Sequence, residues 1–255
     1  MNKVTKYVLY DIVRNRFVMG YTLLLAAVSF SFFGFDPDPN KGLLSLLNII
    51  LMVVPLVSII FSTIHFYNSY EFIELLSAQP LSRKSIFLSE YIGVAASLSL
   101  AFLVGVGIPT MLFEGTERGI VLIISGLLLT LSFVSLAFLA AVITRDKAKG
   151  MGLALVIWFY FALVYDGLVL GILFSFSDYP LEKVMLFLTA LNPTDLARIM
   201  VLMKMDISAL MGFTGAVFQD FFSTNYGLII ALSVLMVWVV WPVALAARIF
   251  NKKDL

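Results

Sequence analysis

The stretch that decides the fold runs from Asn68 to Tyr91 and reads NSYEFIELLSAQPLSRKSIFLSEY. It is a polar island between two charge-free apolar runs, each long enough to cross a bilayer. Its first half has the pattern of a short amphipathic helix, which must break at Gln79-Pro80 because proline cannot continue a helix. Ser82 can then cap the next helix. The pattern is typical of an ordinary loop or of a docking point for a soluble partner.

The composition indicates a membrane protein with several spans. The 255 residues are 61% hydrophobic and 13% charged, with a mean hydropathy of +1.02. A soluble domain would carry about twice that share of charge. The net charge of +1 gives no indication of nucleic-acid binding. Without cysteine, and with His65 as the single histidine, the chain is not expected to hold a metal.

Six apolar segments are predicted to cross the membrane, which makes the chain an all-α polytopic protein with one transmembrane domain, 1–255. Residues 3–16 place apolar side chains at helical spacing among basic ones, which is typical of a helix lying in the membrane interface. Residues 68–90 connect spans two and three, and residues 178–225 form the only long connection. The predicted spans are 17–35, 43–67, 91–113, 120–143, 150–175 and 227–247.

The distribution of Lys and Arg predicts the orientation. Twelve of these residues fall on the side that holds both termini and residues 68–90, and five fall on the other side. The positive-inside rule therefore predicts cytoplasmic termini and an outer location for residues 178–225. The chain is expected to be a multi-pass protein of the cell inner membrane.

The outer segment holds two apolar pieces, Val184 to Thr194 and Ile207 to Gln219, and both are too short to span the bilayer. We interpret them as short helices that re-enter the membrane or lie on its outer leaflet. Asn192 and Pro193 have the pattern of a helix start. Several methionines lie nearby; thioethers suit Cu(I), but without histidine or cysteine beside them apolar packing is favoured.

Asp166 is the one charge in span five. A carboxylate near mid-membrane costs about 2.5–3.5 kcal/mol, so this side chain should face the protein interior. None of the spans offers it a lysine or arginine. It is expected to be protonated, or bonded to hydroxyls or to another subunit, in a structural or a transport role. The chain has no Walker A sequence and no catalytic constellation, so it is not expected to be an enzyme.

The turn LLSAQPLSRKSIFLSEY resembles the L-L-x-x-Q-P-[VL]-S-R signature of the membrane subunits of type-2 ABC exporters. The order of elements is similar too, although many relatives carry a basic residue where this chain has Glu90. The resemblance implies a homodimer, with ATP and Mg bound by a separate cytoplasmic ABC ATPase and no cofactor on this chain. The residues implied to dock the ATPase are Phe72, Leu75, Leu76, Gln79, Pro80 and Arg83.

The outer stretch LNPTDLARI, together with Tyr165-Asp166, is similar to the permeases that serve maturation of nitrous oxide reductase. That resemblance implies a periplasmic β-helical partner and a role in assembling copper-sulfur centres, by export of a cargo or by transmission of force. The alternatives are an exporter of a lipid, glycan or drug, and a membrane scaffold without transport. Partner contacts, or a lid over the dimer, are expected from Asn192, Pro193, Asp195, Leu196, Arg198, Met203 and Lys204.

Overall fold

The computed structural model describes residues 2–35, 39–144, 146–176, 182–205 and 225–252. All regular elements within these ranges are helices, which confirms the predicted all-α class. Six helical segments of the described chain are long and apolar enough to cross a membrane, in agreement with the predicted number of spans. They are Arg16–Gly34, Asn40–Asn68, Arg83–Phe113, Glu117–Ile143, Lys147–Ser175 and Gly227–Lys252.

The helices are numbered in chain order, and two spans are interrupted by a π-helical turn. Span three consists of α5, a π turn at Leu103–Gly107, and α6; span five consists of α8, a π turn at Tyr160–Val164, and α9. The α-helices are α1 Asn2–Val13, α2 Arg16–Phe35, α3 Pro39–Asn68, α4 Tyr70–Ser77, α5 Arg83–Phe102, α6 Ile108–Phe113, α7 Glu117–Ile143, α8 Lys147–Phe159, α9 Tyr165–Ser175, α10 Glu182–Ala190, α11 Pro193–Lys204 and α12 Asn225–Lys252.

The fourth span, α7, forms the centre of the bundle. It packs against α3, α5, α8, α11 and α12. In its most apolar stretch, 72% of the residues are buried within the chain. An apolar helix of this kind can be covered by protein or by lipid, and here neighbouring helices cover most of it. The corresponding buried share of span five is 11%, so most of that apolar helix remains uncovered in a single chain.

The π turn in span three is explained by Pro109. Proline lacks the N–H that would close a regular helical turn, and its ring crowds the carbonyl four residues earlier, at Gly105. Widening the turn that precedes Pro109 relieves that clash without ending the helix. Span five has no proline in its π turn, and the outer helices account for that distortion below.

A close contact between α2 and span three depends on Gly105. A Cβ atom at this position would lie 2.6 Å from Leu25 Cβ and 3.0 Å from the carbonyl oxygen of Thr22. Small residues allow helix backbones to approach this closely in membranes. Gly20, also on α2, would meet no atom within 4 Å.

We expect Gly105→Ala to lower the free energy of unfolding by about 1–3 kcal/mol, because the added methyl group must push α2 away from span three. Gly20→Ala is the matched control and should leave stability at or slightly above that of the parent, since its methyl group enters open space. Unfolding midpoints of the purified chains in detergent measure both. Equal midpoints for Gly105→Ala and the parent would contradict the close packing described here.

Candidate functional site

The coupling region, defined as residues 68–90, contains a short helix and a turn. Helix α4 follows α3 almost directly and ends at Ser77, three residues before Pro80. The Ser82 side chain accepts a 3.3 Å hydrogen bond from the backbone N–H of Ser85 and so caps α5. The sequence-based prediction of a helix, a break and a cap is therefore confirmed.

The side chains of α4 divide between surface and core. Leu75 is 69% exposed, whereas Leu76 is 7% exposed and packs with Ile73 in the core of the chain. The expectation that both leucines would dock a partner is therefore wrong for Leu76, because the turn of the helix directs it inward. Phe72 is half-buried, with its ring 5.9 Å from that of Tyr7. The remaining predicted docking residues are Gln79 and Pro80, both exposed, and Arg83, which is half-buried.

An aromatic cluster lies directly beneath the coupling region and joins four spans. The ring of Phe138 lies 5.4 Å from Phe66 and 5.7 Å from Phe87, in edge-to-face geometry. Phe250 contacts Phe66 at 6.4 Å and Phe87 at 5.4 Å, and Tyr91 meets Phe138 at 5.6 Å. Such pairs each add about 0.5–1.5 kcal/mol beyond burial. The cluster fixes the ends of α3, α5, α7 and α12 to one another.

The two helices that flank the coupling region are also linked by a polar contact. His65 Nε2 lies 3.2 Å from Glu90 Oε2 and 3.3 Å from Ser69 Oγ. Glu90 is 1% exposed, so a carboxyl group without this partner would be costly to bury. From the sequence, His65 was considered only as a metal ligand, and this pair was not predicted. Glu90 itself indicates such a pair, because a glutamate in an apolar run needs a polar partner at the same depth in the membrane.

The coupling region is further tied to the turn between spans four and five. The Tyr67 hydroxyl lies 2.5 Å from Thr144 Oγ1, and Lys147 Nζ donates a 2.8 Å hydrogen bond to Asn68 Oδ1. A Cβ atom at Gly150 would overlap the Tyr67 ring, so only glycine allows α8 to start this close. The start of span five is therefore held against the end of α3, next to the coupling region.

At the opposite end of the bundle, one arginine holds two carboxylates. Arg198 Nη1, on α11, lies 3.1 Å from Asp166 Oδ2 and 3.4 Å from Asp195 Oδ1. Asp166 was expected to be protonated, or to find hydroxyls or another subunit; its partner in the structure is instead an arginine from outside the spans. Asp166 is only half-buried and lies on the outer side of the middle of span five.

The π turn of span five is stabilised by α11. The Asn192 side chain accepts a hydrogen bond from the Thr194 N–H at 3.0 Å and donates one to the carbonyl oxygen of Phe161 at 3.1 Å. The predicted helix start is confirmed, and its capping residue also satisfies a carbonyl group that a regular helix would have used internally. The distortion places Asp166 opposite Arg198.

The outer cap, which we define as α10 and α11 (182–204), bends by 114° at its break. Helix α10 ends at Ala190, although its apolar piece was predicted to continue to Thr194. The Tyr165 hydroxyl and the Trp238 indole donate hydrogen bonds to the carbonyl groups of Leu188 and Ala190. Side chains of spans five and six thus hold the end of α10. The second predicted piece, 207–219, lies outside the described residues.

The residues predicted to contact an outer partner fall into two groups in the structure. Three of them are charged, are half-buried and form ion pairs within the chain: Asp195, Arg198 and Lys204, the last paired with Glu117. The others pack inside the chain and are not available to a partner, which corrects the expectation for Asn192, Pro193, Leu196 and Met203. Met200, Met203 and Met205 lie in the apolar core, in agreement with a packing role.

The environment of Asp195 makes it sensitive to pH. Burial, and next the charge of the neighbouring Asp166, raise the pKa of Asp195 to about 7, although Arg198 opposes them in part. Asp195 belongs to α11, which is not one of the six spans. The folded chain therefore binds a proton at this site that the unfolded chain has already released above about pH 4.

Stability should therefore fall as the pH rises from about 4 to about 8, because the folded state must give up that proton. We expect Asp195→Asn to remove this component of the pH dependence, since the amide remains neutral throughout. Asp11→Asn, at an exposed carboxylate on α1, is the control and should keep the parent's profile. Unfolding midpoints in detergent across this range provide the measurement. A parent profile retained in Asp195→Asn would contradict the assignment.

Residues 5–255 match the family described as ABC-2 family transporter protein, and the chain belongs to this family. It is the permease subunit of an ABC transporter. It is 30% identical to the probable ABC transporter permease protein NosY of Stutzerimonas stutzeri over 75% of this chain and 77% of that protein. It is 29% identical to the protein of the same name in Pseudomonas aeruginosa, over 80% of this chain and 82% of that protein.

Proposed function

We propose that this permease acts as a homodimer and couples ATP hydrolysis by a separate cytoplasmic ATPase to the assembly of the copper-sulfur centres of nitrous oxide reductase. The observation that carries the proposal is the similarity to two permeases named NosY, which extends over at least 75% of the chain. The coupled event is export of a cargo or transmission of force to an outer partner. The chain itself is not an enzyme in this proposal.

The coupling region supports the role of the ATPase. Family membership implies an ATPase partner, and α4 presents Leu75 as an exposed apolar side chain between the exposed Glu71 and Ala78. ATP and Mg would be bound by that partner, which we propose to be NosF-like. Its motion would reach the spans through the aromatic cluster and the His65–Glu90 contact.

The homodimer is supported by span five. Only 11% of its most apolar window is buried within one chain, and its exposed side chains include Val156, Leu163 and Phe174. A second copy would cover part of this surface, and lipid would cover the rest. Helix α1 contacts α4 through Tyr7 and Phe72, and α12 reaches the aromatic cluster, so both helical ends lie on the side of the coupling region. This supports cytoplasmic termini in an inner membrane.

The outer cap supports a periplasmic partner, proposed to be NosD-like and β-helical. The outer cap exposes Val184 and Phe187 on α10 and Leu191 directly after it, none of which was predicted as a contact from the sequence. Exposed apolar side chains with charges nearby are typical of interface centres and rims. In this proposal the exposed face of α10 makes the contact, and the buried residues of α11 hold that face in place.

Copurification from mild detergent tests the proposed function. A tag on this chain should recover a second, untagged copy, an ABC ATPase and a periplasmic β-helical protein. An ATPase without the β-helical protein would indicate a permease for another cargo. Recovery of neither protein would favour a scaffold without transport. Phe187→Asp should release the periplasmic subunit alone, and Leu112→Asp, at a 68% exposed position near the outer end of span three, serves as the comparison for a general loss of folding.

A further inference from the structure

A groove of about 320 Å³ lies between α2 and span three, at the end of the bundle where α1 meets α2. Polar atoms contribute almost nothing to its walls. The volume falls within the range of small-molecule sites, but the two hydroxyl groups in its walls, those of Thr22 and Ser97, already donate hydrogen bonds to the carbonyl groups of Val18 and Gly93, so they are poorly placed to orient such a ligand. The main lining residues are Val18, Met19 and Leu23 from one helix and Leu100, Ala101 and Val104 from the other.

Helix α1 closes the cytoplasmic-side end of the groove in part. Gly93 allows α1 to cross α5 closely, because a Cβ atom there would lie 2.4 Å from Val8 Cγ1. Ser97 Oγ lies 3.5 Å from the carbonyl oxygen of Leu9. The groove extends to Val13, at the corner between α1 and α2, and to the first turns of α2, and we take this corner as its opening.

The corner at this opening is basic. Arg14 and Arg16 are exposed, and within the described part of the chain neither has a carboxylate at ion-pair distance. The Arg14 guanidinium lies over the Tyr10 ring at 5.2 Å and donates a 3.1 Å hydrogen bond to its hydroxyl. Two cations at the membrane surface, beside an apolar groove that continues into the leaflet, match the two parts of an anionic lipid.

A second copy of the chain is a less suitable occupant. The least covered span is span five, which packs against α3 and α7. The groove lies on a different face, between α2 and span three. Its narrow apolar interior and charged opening also suit a flexible acyl chain better than a flat helix surface.

We propose that the groove binds an acyl chain of an anionic phospholipid, whose phosphate is held at Arg14 and Arg16. The inference concerns a lipid site and does not depend on the nature of the transported cargo. The leaflet is the one on the side of the coupling region. The lipid would fill the gap between α2 and span three and so stabilise the corner with α1.

Lipid binding to the purified full chain tests the proposal, with phosphatidylglycerol and phosphatidylcholine as probes and native mass spectrometry as readout. The parent should prefer phosphatidylglycerol by about tenfold or more, since each basic residue near the surface contributes to binding. Arg14→Gln with Arg16→Gln should remove that preference and leave phosphatidylcholine binding unchanged. Equal binding of the two lipids by the parent would overturn the headgroup assignment.

Two substitutions that fill the groove test the acyl-chain site. Val104→Trp and Met19→Trp start from 48% and 53% exposed positions on opposite walls and should each reduce phosphatidylglycerol binding about tenfold. Ile108→Trp, 51% exposed and outside the groove, is the control and should bind as the parent does. A photo-crosslinker at Leu100 in native membranes should form lipid adducts. Crosslinked dimers there, or parental binding by both tryptophan variants, would overturn the proposal.

Discussion

Leu75→Asp should release the ATPase from the permease while the permease remains folded in the membrane. Leu75 is 69% exposed on α4, so a charge at this position harms no contact within the chain. Buried apolar anchors dominate interfaces of this kind, and losing one costs about 2 kcal/mol or more, which is roughly a 30-fold loss of affinity. Copurification of the two subunits, with the amount of permease as reference, provides the measurement.

Two companion variants separate docking from folding. Leu75→Met keeps an apolar side chain of similar volume and should retain the ATPase. Leu76→Asp should instead reduce the amount of folded permease, because it places a carboxylate in the core beside Ile73. Undiminished copurification with Leu75→Asp would show that α4 docks by other residues, and the proposed coupling would then need a different contact.

The second large effect is expected at Arg198. Replacing it with leucine leaves Asp166 and Asp195 facing each other with no cation between them, and should lower stability by about 1–3 kcal/mol. Asp166→Leu should be milder, since Arg198 keeps Asp195 as a partner. Unfolding midpoints of the detergent-purified variants measure the order of these effects.

A double-mutant cycle isolates the interaction between the two side chains. Arg198→Leu with Asp166→Leu should recover most of the stability that Arg198→Leu loses, because an apolar pair replaces an unpaired carboxylate. Lys204→Leu is the control, since its partner Glu117 is 69% exposed and an exposed pair contributes at most about 1 kcal/mol. Additive losses in the double variant would show that Arg198 and Asp166 do not interact.

The features that sequence reasoning predicted correctly depend on local signals. The break before Pro80 and the caps at Ser82 and Asn192 each follow from residues within four positions of one another. The number of spans follows from runs of apolar residues that water excludes. Neither result requires knowledge of which helices are neighbours.

The features that it missed depend on distant contacts. Asp166 and Arg198 are 32 residues apart, and the π turn that brings them together is stabilised by Asn192 from another helix. The periodicity of α4 marks Leu75 and Leu76 as equally apolar, and only the position of α4 on the bundle decides which one is buried. Sequence patterns describe one helix at a time and do not contain this information.

The aromatic cluster has a mechanical consequence. Because Phe66, Phe87, Phe138 and Phe250 contact one another, they join spans two, three, four and six at their coupling-region ends. Span five contributes no ring to it and is attached there by the hydrogen bonds of Tyr67 and Lys147. A force applied to α4 would therefore be shared by four spans at once, and span five would receive it through α8, which packs against α3 and α7.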